Sequence, residues 1–147
     1  MSRSISVWWK TSLLAVAGGL GFWFANLAIS LTPVAAEYRA ALSISYAPML
    51  VEALAGGLVI GLCVSYGLLR YFRSIPTNSP ISKSLVLCFV ALLVVTVVIE
   101  IPAKLLTPTT DALRYLGIAT IFNVLRVATL GVVIGWLYER LERSDGT

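Results

Sequence analysis

The sequence contains no histidine, only two cysteines, and acidic or basic side chains at just 12% of its 147 positions. Soluble globular domains carry about 25% charged residues, so an ordinary water-soluble fold is excluded. The lack of histidine removes imidazole haem ligation, histidine acid–base catalysis and His-rich metal sites. Cys63 and Cys88 lack CxxC spacing and are expected as small buried hydrophobes, not a redox pair. Ala17-Gly18-Gly19-Leu20-Gly21 is not followed by Gly-Lys-Ser/Thr and lies in an apolar run, so it is no phosphate loop. A serine nucleophile elbow is missing too. The chain is therefore expected not to be an enzyme and to need no cofactor or metal.

What the sequence has in abundance is apolar length, with 59% hydrophobic residues. Four runs, 11–31, 47–69, 84–99 and 115–138, contain 21, 23, 16 and 24 residues. Crossing a hydrocarbon layer roughly 30 Å thick takes about 20 helical residues. The third run reaches 18 only by including Glu100 and Ile101, and a carboxylate near the boundary can meet headgroups or water. The period-two alternation of a barrel strand is missing from these runs. The expectation is an all-α integral membrane protein with four transmembrane helices. A single domain over 1–147 would comprise one hairpin at 8–73 and a second at 82–143.

Of the eleven basic residues, Arg3, Lys10, Arg70, Arg73, Lys83, Arg140 and Arg143 fall on one side, and Arg39, Lys104 and Arg114 on the other. By the positive-inside rule both termini and the 70–83 loop are expected to be cytoplasmic, and a plasma (inner) membrane is the expected location. The net charge of +4 therefore records insertion topology and attraction to anionic lipid, and no nucleic-acid partner is implied. A basic start, an apolar run and Val34-Ala35-Ala36 before Glu37 also resemble a cleavable signal peptide. The run exceeds the 7–15 residues of a usual signal core, so helix 1 is expected to be retained. Trp8, Trp9, Tyr71 and Tyr138 read as interface anchors, and Trp23 as core or lipid-facing.

The two halves echo each other. Leu31-Thr32-Pro33 followed by Arg39 aligns with Leu106-Thr107-Pro108 followed by Arg114 at an offset of 75. Gly57-Leu58-Val59-Ile60-Gly61 aligns with Gly131-Val132-Val133-Ile134-Gly135 at an offset of 74. This points to a duplicated helical hairpin with a parallel pseudo-twofold repeat, of the kind seen in some transporters. Threonine can cap a helix and proline suits its first position, so helices 2 and 4 are expected to begin at Pro33 and Pro108 after tight outer turns. Pro48 is expected to bend helix 2 about one turn before Glu52.

The offset of 74 also places Glu52 opposite Arg126, an acid and a base at similar depth. An unpaired arginine near the midplane costs roughly 2.5–3.5 kcal/mol on insertion scales, so Arg126 should face protein. Asn123, Thr129 and Thr120 give helix 4 a polar side at helical spacing. Glu52 and Glu100 are the candidate partners, with Asn26 and Ser30 completing an intramembrane polar cluster. Two readings stand. In one, Arg126 neutralises one carboxylate and the other serves a proton, cation or solute. In the second, Glu52 and Arg126 form a structural lock while Glu100 snorkels outward.

Small residues supply packing surfaces: Gly57, Gly61 and Ser65 on helix 2, Gly131 and Gly135 on helix 4, and Ala17, Gly21 and Ala25 on helix 1. These ridges serve either internal packing or contact with a second copy or another membrane subunit. Two functions are expected: a small oligomeric transporter or channel-like protein using Glu52, Glu100 and Arg126, or a non-catalytic accessory subunit of a larger membrane complex. The lipid bilayer is a partner in both.

Overall fold

The computed structural model describes the backbone of residues 2–106, 108 and 110–145, with side chains from 7 to 144 in that set. It is all-helical, and no strand occurs among the described residues. The elements are α1 (Ser2–Ser30), α2 (Pro33–Ala41), α3 (Tyr46–Tyr71), α4 (Pro80–Val95), a π-helical turn (Thr96–Glu100), α5 (Ile101–Leu106) and α6 (Ala112–Asp145). Four stretches are long and apolar enough to cross a membrane: Val7–Ser30, Tyr46–Tyr71, Pro80–Leu106 and Ala112–Ser144. Their outer faces are greasy, with Phe24, Val59, Phe89 and Val98 each at least 60% exposed. So much open apolar surface is untenable in water and marks the chain as a membrane protein.

The helices form a ring in which α1 lies between α3 and α6, and α4 closes the circle by touching both α6 and α3. Leu14, Leu68, Leu130 and Ile134 are wholly buried at its centre, joined by Phe22, Val64, Cys88 and Leu92. This dry core fills the half of the bundle nearer the termini. There Phe72 stacks on Tyr138 at 5.0 Å, and Lys10 pairs with Glu142 at 3.5 Å. Lys83 is not a loop charge but a buried residue in the first turns of α4. Its ammonium donates to the carbonyls of Phe72 and Ile75, closing the C-terminal end of α3.

The glycine ridges are used inside the chain. A Cβ on Gly61 would lie 2.7 Å from the Ala15 carbonyl oxygen, and one on Gly57 3.1 Å from that of Gly19, so α3 and α1 touch backbone to backbone. On α6, Gly131 meets Cys88 and Gly135 meets the backbone of Ile81 on α4. In lipid, where apolar burial gives helices no drive to associate, such close approach is what holds them.

Several sequence expectations are corrected. Thr32 does cap a helix at Pro33, accepting from the Ala35 amide at 3.2 Å, but that helix is the separate α2. The chain breaks at 42–45, with Ser43 at φ 54°, before α3 starts at Tyr46. Pro108 precedes α6 without belonging to it. Thr107, its proposed cap, and Arg3, counted on the terminal side, have placements or side chains outside the described residues. Pro48, expected to bend this helix, falls in the first turn of α3, where amides lack helical partners in any case, so it removes no internal hydrogen bond.

The third span is not short, because it runs through Pro102. The Ile101 amide reaches back to the Thr96 carbonyl, five residues earlier. This wide turn accommodates a proline that has no amide and whose ring would otherwise strike the Val98 carbonyl. Cys63 is exposed on the apolar surface, whereas Cys88 is buried as expected. Tyr138 is buried too, and is no interface anchor, while Trp8, Trp9 and Tyr71 are exposed.

Candidate functional site

Helix register explains why the other half of the bundle is hollow. Gly18 on α1 packs against Ile134 and Leu130 on α6, and Gly21 against Val133 and Thr129. Continued along antiparallel helices at about 1.5 Å per residue, this puts Ser30 opposite roughly residue 120 of α6. The first two turns of α6, about 12 Å, therefore project beyond the end of α1. The chain fills this step with α2, which turns back over the bundle. Tyr38 sits edge-on to Tyr115 at 6.1 Å and Phe122 at 5.9 Å, with the Lys104 ammonium 5.0 Å from its ring. Arg39 donates to the Ser30 carbonyl at 3.0 Å, and Glu37 pairs with Arg114 at 2.8 Å.

Beneath this roof lie two adjoining cavities of about 230 and 220 Å³. A single water needs only about 10–15 Å³ by a comparable measure, so either has room for a small solute. They share Asn26, Met49, Glu52, Asn123 and Arg126 on their walls. All five polar residues singled out from the sequence, Asn26, Glu52, Glu100, Asn123 and Arg126, line the first cavity. The four glycines, Gly57, Gly61, Gly131 and Gly135, lie away from it at helix contacts.

The pairing within the cluster differs from the expectation. Glu52 and Arg126 line the same walls, and the registers with α1 put both opposite the turn around Phe24. Yet they form no ion pair, and Glu52 has no hydrogen-bond or ionic partner among the described residues. The Arg126 guanidinium instead donates to Asn123 Oδ1 at 3.2 Å, and Asn123 Nδ2 donates to Glu100 Oε1 at 3.1 Å. An amide suits this place because it presents an acceptor to the cation and a donor to the anion. Glu100 also faces Lys104, one turn further along the chain, at 3.9 Å.

Two donors are left over at the cavity, while the hydroxyls of Ser65, Thr77 and Ser84 are buried without a partner elsewhere in the described residues. Asn26 Nδ2, on a residue only 1% exposed, and Arg126 Nε are both buried without an acceptor. Buried polar groups of this kind are rare and call for an explanation such as a water, an ion or a ligand. Thr120 and Thr129 do not join the cluster, since each hydroxyl donates to a carbonyl of its own helix, Leu116 and Leu125, at 2.8 Å. Ser30 does line the cavity, within 3.2 Å of the Tyr46 hydroxyl. Trp23 stands at the outside of this region, its indole donating to the Leu50 carbonyl at 3.1 Å.

Sequence reasoning missed Tyr38, Arg39 and Lys104 as cavity residues. The available signal was the inward spacing of Ala35, Tyr38 and Leu42 after a capped Thr32-Pro33, which describes a short amphipathic helix better than the start of a membrane span. Among the described residues no group of three or more potential metal-ligating side chains comes together. Comparison of the chain with protein-family models, with curated proteins and with solved structures gives no match.

Proposed function

We propose that this protein is a small, non-catalytic membrane transporter that binds a small polar solute in the cavity beneath α2. One observation carries the reading: the buried, unpartnered donors of Asn26 and Arg126 line one cavity among the membrane-spanning helices, and an exposed, unpaired carboxylate, Glu52, stands at its open edge. Ionisable groups within a membrane are costly and are functional hypotheses by default. The lack of an ion pair between Glu52 and Arg126 favours a site over a structural lock. The accessory-subunit alternative needs a docking surface, whereas the glycine ridges are consumed in internal contacts.

Two further features belong to the same proposal. The positive-inside rule orients the protein with both termini in the cytoplasm, so the cavity lies in the outer half of the membrane. The equivalent pairs Gly57/Gly61 and Gly131/Gly135 each pack on the helix before them in their own hairpin, which supports a duplicated hairpin. Alternating access would then come from one hairpin rocking on the other, as in repeat transporters.

The test is uptake into proteoliposomes from a mixture of isotopically labelled amino acids, organic acids and amines, read by mass spectrometry. Saturable uptake is expected in the wild type, reduced at least tenfold in Glu52→Gln with the bundle still monodisperse. Absence of uptake across the mixture, or equal uptake by the variant, overturns the reading.

A further inference from the structure

The five charged side chains around the first cavity are not equivalent. Lys104 is engaged by Glu100 and by the Tyr38 ring, and Arg39 by the Ser30 carbonyl and the Tyr46 ring 5.1 Å away. Glu100 is engaged by Lys104 and Asn123. Only two charges remain open. Arg126 spends one nitrogen on Asn123 and lies 5.8 Å from the Phe122 ring, with its Nε unsatisfied. Glu52 has no partner at all among the described residues. Beside Arg126, the sealed Asn26 amide adds another donor without an acceptor. The lining therefore combines hydrogen-bond donors and positive charge from α1 and α6 with an exposed carboxylate from α3, at a similar level of the bundle.

We propose, resting on the transport reading, that the ligand is a small zwitterion whose acidic group meets Arg126 and Asn26 and whose ammonium group meets Glu52. An anion alone would leave Glu52, exposed at the cavity's edge, unpaired and would gain nothing from it. A cation alone would leave Arg126 and Asn26 as they are. A molecule bearing both groups satisfies all three. The adjoining cavities, about 230 and 220 Å³, hold such a molecule without the chain opening. The same pair of groups occurs in free amino acids and in the ethanolamine phosphate headgroup of a phospholipid, and the experiment separates the two sources.

The purified full-length protein in nanodiscs of phosphatidylglycerol is titrated with glycine, β-alanine and phosphoethanolamine, and in parallel with propionate, inorganic phosphate and ethylammonium. Binding is read by tryptophan fluorescence, with Trp23→Phe identifying the signal from the indole above Leu50, two residues before Glu52. At least one zwitterion is expected to bind at least tenfold more tightly than any singly charged probe. Glu52→Gln should reduce its affinity at least tenfold while leaving that of propionate and phosphate unchanged or improved. Glu52 touches no other charged or hydrogen-bonding side chain, so this variant reads recognition and not folding. Arg126→Lys, which retains the charge but not the fork of donors, should weaken the zwitterion and the anions together.

Anions binding as tightly as zwitterions, no binding by any of the six probes, or indifference to Glu52→Gln would each overturn the proposal. If nanodiscs containing phosphatidylethanolamine abolish the response seen in phosphatidylglycerol, the zwitterion is the lipid headgroup. Zwitterion binding without uptake in the proteoliposome assay would uphold the recognition chemistry and sink transport. Uptake of singly charged solutes alone would do the reverse.

Discussion

At the residue scale, the chain is held by places where side chains are absent as much as by those present. Gly61 and Gly135 sit against backbone that cannot yield as a flexible side chain would: a Cβ would lie 2.7 Å from the Ala15 oxygen and 2.5 Å from Ile81 Cα. Gly117 has nothing within 4 Å. Gly61→Ala and Gly135→Ala should each lower stability by about 1–3 kcal/mol through overpacking. Gly117→Ala should be neutral or gain up to about 1 kcal/mol from helix propensity. Unfolding of the detergent-solubilised variants by denaturant checks this ordering, and equal effects at all three positions would contradict the packing described. Glycine spacing was legible in the sequence because an i, i+4 stripe needs no tertiary information. Its use inside the chain was not, since a stripe has the same pattern whether its neighbour is another helix or another molecule.

At the element scale, the third span shows how local chemistry sets the phase of a functional residue. The π-turn inserts one extra residue ahead of Pro102, and every side chain beyond it is rotated by about 100° relative to an unbroken helix. Glu100 lies at the end of this turn and reaches Asn123 on α6. Substitution of Pro102 by alanine restores an amide and removes the clash that sustains the wide turn, so the segment should relax to α-helical pitch and carry Glu100 away from Asn123. A double-mutant cycle with Glu100→Ala and Asn123→Ala should give a coupling of roughly 1.5–3 kcal/mol in the parent, as for a hydrogen bond to a charged group. In the Pro102→Ala background the coupling should fall below about 0.5 kcal/mol. An undiminished coupling would show that the turn does not aim Glu100. Nothing in apolar periodicity signals a π-turn, which is why the third run looked too short.

At the scale of the whole molecule, the arrangement is a packed half and a hollow half. The packed half is closed by Lys83 on the end of α3 and by the Lys10–Glu142 pair. The hollow half exists because α1 stops short of α6 and α2 covers the step. The distribution of basic residues predicts the orientation, with both termini in the cytoplasm. A cysteine introduced at Asn78, with the native pair replaced by alanine, should be labelled by a membrane-impermeant maleimide only after the membrane is opened. One at Ser43 should be labelled in intact cells. Both positions are exposed in loops at opposite ends of the bundle. The reverse pattern would place the cavity in the inner half and leave the positive-inside reading untenable.

The sequence by itself determined the class of protein and the four spans, because the length of an apolar run is a one-dimensional quantity that a bilayer reads directly. It also named Asn26, Glu52, Glu100, Asn123 and Arg126, since any polar side chain in such a run is conspicuous. Only the tertiary structure decided who pairs with whom. Contact between α1, α3, α4 and α6 depends on register and rotation, and these are set jointly by glycine contacts, by the π-turn and by the return of α2. That geometry gave Arg126 to Asn123 and Glu100 to Lys104, and left Glu52 alone on the wall of the cavity.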